Sequence, residues 1–510
     1  MTGEKSIMTN QKATSNSNAM ATYRIATAIK RSFGEEFLLV QQAPPPALEE
    51  DEYQHYVDSN LWDLPSAPLK PLEGEHQSKE VIVGGDALLD ELDLRMFNID
   101  SALAQIASQV GRVATICRSW SLLKYVEEGE FGPDAPVKTL FILGTLAQGD
   151  DDFSDSCKWI SKDLAANFHL QLTPSDDRIG LLTIIGLLDS SDESRKPQRP
   201  HVFLSHSIQE YPIGIMVIPM KSRTQKPFST TNLVLIVADD RTSESEDSGI
   251  IKYGDALLVD PGCSIQYHPD LEDLVKALPR KLLVFLTHHH YDHVDGLSVI
   301  NKCNPDAVLL AHENTLRRID KANWSHESLA ISGGEKIQIG NQKLEAVFSP
   351  GHTDGHNALL HLNSKSLIVG DHCVGQGSAV LDITSGGNMK DYFQTTYNFL
   401  ELKPSVLIPM HGRINLWPQR MLCGYLKHRR ERESKILKAI ENGAKTLYDI
   451  VADVYADVSV RLWFAASSNV RLHVDHLAYQ GMLPKDFSLD DFNASYDEFI
   501  KKISTLNIGI

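Results

Sequence analysis

Thr287-His288-His289-His290-Tyr291-Asp292-His293 follows the apolar run Lys281–Leu286, which reads as a buried strand. In alternate positions it is His-x-His-x-Asp-His. Three imidazoles and a carboxylate this close together cannot be brought onto one point by a helix face, but a turn leaving a strand end can do it. Packing so many ionisable groups together has no benefit unless a cation sits among them. Imidazole and carboxylate suit zinc and, less selectively, iron or manganese.

Three more candidates lie downstream. Ser349-Pro350-Gly351-His352 puts a histidine in a Pro/Gly turn, Leu367-Ile368-Val369-Gly370 ends on Asp371, and Leu407-Ile408-Pro409-Met410 ends on His411. Each sits where a strand gives way to a loop, and rigid sheets present functional groups there. A helix N-cap is the plain alternative for Asp371, and a simple turn is the plain alternative for His411-Gly412. The order of all four pieces carries the signal.

From about Ile213 to Gly412 the chain resembles the metallo-β-lactamase superfamily, an α/β class whose αββα sandwich holds one or two metals at the sheet edge. The resemblance implies that His288, His290 and His352 hold one metal. It implies that Asp292, His293 and His411 hold a second, with Asp371 bridging. Two zinc ions are the expected cofactor, with manganese or iron as alternatives, and Asp292 and Asp371 are the expected catalytic carboxylates. An aspartate at 371, where the true zinc β-lactamases have cysteine, is similar to the glyoxalase II and ribonuclease branches. The short interval from Asp371 to His411 has no room for the domain inserted in the superfamily's mRNA-processing nucleases. Two cations sharing a water supply hydroxide near neutral pH and stabilise charge on a carbonyl or phosphoryl oxygen. No Ser or Cys nucleophile is needed.

His289 and Tyr291 occupy the x positions and are read as pocket lining at most. His356 is either an orienting hydrogen-bond partner or a buried turn histidine. His312, His361 and His372 match no ligand position and are read as structural.

Composition sets the frame. The chain has 510 residues, enough for two to four domains, and an apolar fraction of 42%, ordinary for globular cores. No apolar run approaches the roughly 18 residues of a membrane helix. A net charge of −18 disfavours broad nonspecific binding to nucleic acid, which needs Lys and Arg, though not a local basic groove. The six cysteines form no Cys-x-x-Cys pair, as expected of reduced thiols inside a cell.

Residues 1–19 read as a disordered polar tail without a secretory h-region. The cytoplasm is the expected compartment, with mitochondrion or plastid as the alternative. Residues 20–200 resemble a Nudix-like α/β domain. Phe37–Gln41 is read as a strand, Leu61-Trp62-Asp63-Leu64-Pro65 as an apolar strand with a Pro stop, and Ser101–Gly111 as the following helix. Gln105, Ser108 and Gln109 stand there instead of the glutamates magnesium would need. Residues 189–197 read as a linker and 239–248 as an exposed hairpin loop. Residues 201–420 form the metallo-β-lactamase domain and 421–510 a helical, winged-helix-like domain. In that last domain helices are expected over Tyr425–Ile440, Thr446–Tyr455 and Ser468–Gln480. The His-Arg-x-x-Arg-Glu pattern within Lys427–Glu433, with Gly370-Asp371 and Gly375-x-Gly377, resembles the beta-lactamase-like protein 2 subgroup of single-strand-preferring endoribonucleases. Lys427, Arg429, Arg430 and Arg432 are then expected to receive a polyanion, and a solvated helix face is the alternative.

The expectation is a metal-dependent hydrolase acting on phosphodiesters of single-stranded RNA. A small thioester or ester substrate of the glyoxalase II type is the alternative, and a non-catalytic binding protein is the third reading. No membrane partner is expected, and a homodimer is left open.

Overall fold

A computed structural model describes residues 22–505 apart from 32–35, 45, 73–81, 84–93, 112–116, 130–135, 147–152, 154–155, 162–208, 211, 213, 226–227, 239–249 and 376. The expected tail at 1–19, the linker at 189–197 and the hairpin loop at 239–248 all lie outside the described residues.

The amino-terminal part is an eight-stranded sheet, β1 (Thr22–Lys30) to β8 (Cys157–Ser161). Its long strands β6 (Cys117–Gly129) and β7 (Pro136–Leu146) pair antiparallel, and β7 runs parallel to β1. The expected strand at 37–41 is β2 (Glu36–Gln42), the Leu-Trp-Asp strand is β3 (Leu61–Asp63), and the helix is α1 (Ile99–Gln109). The side chain of Gln109 donates to the Ser66 carbonyl at 2.6 Å and accepts from the Ser66 amide at 3.2 Å. Position 109 therefore ties the helix to β4 (Ser66–Pro68).

The central part stacks two sheets between helices. One sheet runs β16-β15-β14-β13-β11-β10-β9, from Ser328–Ala330, Val308–Ala311, Leu282–Phe285, Ala256–Val259, Thr230–Val237, Met216–Lys221 and Gln209–Glu210. The other runs β12-β17-β18-β19-β20-β21, from Ile250–Gly254, Lys336–Ile339, Gln342–Phe348, Asn357–His361, Ser366–Gly370 and Val406–Pro409. Strand side chains alternate between faces. Leu257 and Val259 accordingly join Leu344, Leu359 and Ile408 in the core between the sheets. Ala256 and Leu258 face the other way, onto Leu271 and Leu274 of α2 (His268–Ala277) and Leu297 and Ile300 of α4 (Leu297–Cys303). Leu360, Leu367 and Leu407 of the second sheet pack on Tyr392 and Phe399 of α6 (Met389–Leu402) and on Met421 and Tyr425 of α7 (Pro418–Glu441). The layers are helix, sheet, sheet, helix, the expected αββα sandwich. Two four-residue helices, α3 (Tyr291–Val294) and α5 (Glu313–Leu316), lie in its loops.

Helix α7 starts seven residues before the expected Tyr425, because Pro418 supplies a preset first turn. It crosses the boundary read at residue 420. Its first half belongs to the sandwich, and Ile436, Ala439 and Ile440 belong to a separate helical core. That core holds α8 (Leu447–Val454), α9 (Trp463–Tyr479), α10 (Leu489–Ala494) and α11 (Tyr496–Thr505). Thr446 and Asp449 form a capping box that fixes the start of α8. The last two helices were not legible in the sequence.

The amino-terminal part reaches across to α7. Trp417, the N-cap residue, provides no side-chain cap. Asp58 does so instead, accepting from the Gln419 amide at 2.9 Å and the Arg420 amide at 3.0 Å. Nearby, Tyr53 is buried against the α7 side of the sandwich, and Glu50 pairs with Lys427 and Glu52 with Arg430.

Two histidines away from the sheet edge are buried neutral. Burial pushes His361 down to about 4, and burial likewise pushes His473 down to about 4 despite its bond to Glu433. The unfolded chain takes up these protons near the ordinary value of about 6.5, before the folded chain does. The contribution of these two histidines to stability should therefore be complete above pH 6.5 and fall toward pH 4. Guanidinium unfolding midpoints measured across that window should drop. His473→Gln should flatten the drop, and an equal slope in that variant would contradict the assignment.

Candidate metal centre

Every candidate ligand leaves a strand end. β13 is followed by Asp260, β14 by Leu286, Thr287 and the His-x-His-x-Asp-His turn, β18 by Ser349-Pro350-Gly351 and His352, β20 by Asp371, and β21 by Met410 and His411. Two glycines allow the close approach. A Cβ at Gly262 would fall 1.6 Å from the Asp292 carbonyl oxygen, and one at Gly370 (φ +57°) would fall 2.3 Å from His356 Nε2.

The structure brings the seven expected residues together. His288 Nε2 lies 2.9 Å from His290 Nδ1 and 3.2 Å from His352 Nε2, and His352 Nε2 lies 3.1 Å from His290 Nδ1. Tetrahedral zinc with Zn–N bonds of about 2.0–2.1 Å separates its nitrogen ligands by roughly 3.3 Å. On the other side, His411 Nε2 is 3.3 Å from Asp292 Oδ2 and 3.4 Å from Asp371 Oδ1. His293 Nε2 is 3.4 Å from Asp371 Oδ2 and 3.8 Å from Asp292 Oδ1. Asp371 also comes within 3.9 Å of His352 Nε2, so its carboxylate stands between the two groups.

Each imidazole has its outward nitrogen occupied. His288 Nδ1 meets Thr287 Oγ1 at 3.0 Å, and His290 Nε2 meets Asp382 Oδ2 at 3.0 Å. His352 Nδ1 donates to the Val380 carbonyl, His411 Nδ1 to the Thr230 carbonyl, and His293 Nδ1 to Asp260 Oδ2. This bonding assigns the tautomers and leaves the inward nitrogens as the donor set, the pattern of metal-bound histidine. His293 Nε2 and Asp371 Oδ1 are buried with no hydrogen-bond partner. Buried polar atoms are ordinarily satisfied.

The electrostatics point the same way. Burial holds His288 and His352 well below the ordinary imidazole value, so their lone pairs are free. Burial also presses His293 down, yet Asp371, Asp292 and Asp260 outweigh it and hold it well above its usual range. His411 rises to about 10 against the same opposition, through Asp371 and Asp292. Burial would raise the Asp292 carboxyl, but His293 and His411 hold it at about 2. The centre draws in positive charge, and a divalent cation meets that demand without a proton. The residues present fit a metal.

His356 takes the orienting role. Its Nδ1 bonds Ser349 Oγ at 2.8 Å, and its Nε2 accepts the Asp371 amide at 3.2 Å. His289 bonds Ser385 at 3.0 Å, and Tyr291 is exposed beside Arg223, whose Nη2 lies 2.7 Å from its hydroxyl. His312 caps α5, His361 bonds Gln342 and Ser364, and His372 bonds Thr396. Two residues were missed. Asp260 is fully buried, accepts Thr287 N at 2.8 Å and Thr287 Oγ1 at 2.6 Å, and steadies His293. Asp382 steadies His290. An apolar strand ending on a carboxylate, the signal that identified Asp371, also describes Ala256–Val259 followed by Asp260.

The basic run divides between interior and surface. Arg429 is 2% exposed, bonds the Ala379 carbonyl and Asn469 Oδ1, and lies over the Tyr392 ring. Arg430 bonds Tyr397 and pairs with Glu52, Arg432 bonds the Val454 carbonyl at the end of α8, and Lys427 pairs with Glu50. Arg429 is thus engaged in the interior, whereas Arg430 is exposed and Lys427 partly exposed, each in an ion pair with an acid of the amino-terminal part. Glu433 completes the pattern by accepting from His473 at 3.1 Å and His476 at 2.8 Å of α9.

Residues 247–411 match the model of the metallo-beta-lactamase superfamily. They form a domain of that superfamily. Residues 446–484 match the beta-lactamase associated winged helix domain, which lies after it in the chain. The chain is 27% identical over 251 residues to a beta-lactamase-like protein 2 homolog of Drosophila melanogaster, covering 46% of this chain and 82% of that protein. It is 26% identical over 238 residues to the Caenorhabditis elegans homolog, covering 44% and 76%. A hydroxyacylglutathione hydrolase of Gloeobacter violaceus is 30% identical over 116 residues, 23% of this chain and 43% of that one. A beta-lactamase domain protein from Burkholderia ambifaria of known structure is 16% identical, covering 56% of this chain and 91% of that chain with a TM-score of 0.46. No described helix is long and apolar enough to cross a membrane, and the six cysteines are unpaired.

Proposed function

We propose that this chain is a hydrolase with two metal ions, zinc in the first instance, and that its substrate is a small thioester or ester. The observation that carries the metal reading is the Asp371 carboxylate standing between the His288, His290, His352 group and the Asp292, His293, His411 group. Bound there, the ions would lower the pKa of a shared water and polarise the substrate oxygen. The chain's own residues do the rest. Asp260, Asp382 and the Val380 and Thr230 carbonyls fix the imidazoles, and His356 fixes the Asp371 backbone. Thr224 Oγ1, 3.4 Å from His411 Nε2, and the Phe228 ring, stacked on His411, close one side of the site.

The substrate reading rests on the basic run. Arg429 is buried, and Lys427 and Arg430 are paired at the surface with Glu50 and Glu52, which lowers the net positive charge a polyanion would meet. Arg223 at the rim is paired with Asp295, and the hydroxyacylglutathione hydrolase likeness favours a small thioester. The second reading, single-stranded RNA, is favoured by the longer match to the beta-lactamase-like protein 2 homologs. In both readings the amino-terminal sheet is a Nudix-like module without hydrolysis of its own, since Gln105, Ser108 and Gln109 replace the carboxylates magnesium needs.

Metal-loaded protein should be incubated with a thioester and ester panel and with labelled single-stranded RNA, each with and without chelator. Thioester turnover that chelation abolishes and zinc restores is expected. Chelator-sensitive RNA cleavage without thioester turnover would transfer the assignment to the second reading. Inertness toward both would count against catalysis and favour a binding role.

A further inference from the structure

A buried arginine lies behind the metal centre without a carboxylate among its bonded groups. Arg429 donates to the Ala379 carbonyl and to Asn469 Oδ1, and its guanidinium carbon lies 5.0 Å over the Tyr392 ring. Burying a cation without an acid partner is expensive. One turn earlier on α7, Tyr425 is also fully buried. Its hydroxyl accepts from the Val374 amide at 2.9 Å and lies 3.0 Å from the Val374 carbonyl and 2.8 Å from the Gly377 carbonyl. Positions four apart share one helix face. Both side chains therefore grip one stretch of chain from the same side, at Val374, Gly377 and Ala379.

The residues on either side of that segment give the grip its consequence. Directly after Ala379 comes Val380, whose carbonyl holds His352 Nδ1 at 2.5 Å. Two residues later the Asp382 carboxylate holds His290 Nε2 at 3.0 Å, and the Asp382 amide donates to the His352 carbonyl at 3.0 Å. At the other end, the Gly375 amide donates to the His411 carbonyl at 2.7 Å. Three ligand histidines thus depend on one segment, and α7 fastens that segment in the middle.

We propose that Arg429 and Tyr425 are positioning residues for the metal centre, setting the His290 and His352 rings through Val374, Gly377 and the run Ala379–Asp382. The inference rests on the metal reading above and deepens it. It also gives the His-Arg-x-x-Arg-Glu pattern a division of labour. Arg429 addresses the metal segment, while Arg432 fastens α8 and Glu433 fastens α9.

The test is metal affinity, measured on full-length apo-protein by titration with Co²⁺, whose absorption reports ligand geometry, and by competition with a chelator for Zn²⁺. Tyr425→Phe removes only the hydroxyl and should fold. Arg429→Lys keeps the charge and one donor. Arg432→Ala breaks the equivalent contact to α8 and serves as the packing control. Second-sphere substitutions cost about 10–100-fold in metal affinity. Tyr425→Phe should lose affinity on that scale with an altered Co²⁺ spectrum, and Arg429→Lys should lose less than Arg429→Ala. Arg432→Ala should lower thermal stability with unchanged affinity. Unchanged affinity in folded Tyr425→Phe and Arg429→Lys, or an equal loss in Arg432→Ala, would overturn the positioning role. Absence of metal binding by the parent would instead overturn the metal reading itself.

Discussion

Asp371→Ala should abolish turnover while the fold survives. Its carboxylate lies within 3.4 Å of both His293 and His411 and within 3.9 Å of His352, so one truncation removes a donor from each half of the centre. Rates should fall by about 10³-fold or more, the upper end for losing one preorganised electrostatic contact. Elemental analysis should find less than two metals per chain. Circular dichroism should be unchanged, because Asp371 lies beyond the end of β20 and contributes nothing to the sandwich core. The imidazoles left facing one another would be the remaining sign of the site. A fully active, fully loaded variant would remove the bridging assignment.

Asp260→Ala should affect stability and metal together. Asp260 has no solvent exposure, accepts the Thr287 amide and hydroxyl, and bonds His293 Nδ1. Removing one side of a buried hydrogen-bonded charge network costs about 3–5 kcal/mol, because the donors left behind have no water to turn to. His293 would also lose its orientation, weakening metal binding about 10–100-fold. The residue has φ +49°, a conformation asparagine tolerates better than alanine. Asp260→Asn should therefore recover part of the stability. Chemical unfolding of the apo-protein separates the fold contribution from the metal contribution. If Asp260→Ala unfolds at the parental midpoint, the network is not what holds the turn.

The sequence made six of the seven ligands legible because they stand at the ends of strongly apolar strands, where burial and periodicity agree, whereas His352 stands in a Pro/Gly turn beyond the half-buried β18. The His-x-His-x-Asp-His turn, Asp371 and His411 all come after strands whose residues are buried throughout. Helix α8 was legible for a local reason, since Thr446 and Asp449 make a capping box within four residues. Asp260 carried the same strand-end signal as Asp371 but lies 28 residues before His288, outside any compact motif. The role of the basic run was not legible for a different reason. Alternating charge on a helix shows which residues could meet an anion, but not which anions the fold delivers. Glu50, the partner of Lys427, lies 377 positions earlier. No local pattern encodes that pairing. Arg429 was similarly opaque, because one partner is a backbone carbonyl, which any sequence has at every position, and the other, Asn469, lies 40 positions on.

The capping of α7 by Asp58 bears on biosynthesis. Asp58 precedes its partner Gln419 by 361 residues. At translation rates of about 5–20 residues per second, it emerges roughly 20–70 s before the helix end that it caps. Throughout that interval the links from Asp58, Glu50 and Glu52 to α7 cannot form. The last half of the polypeptide thus completes the first, and a ribosome stalled before residue 420 would release a product with an open seam.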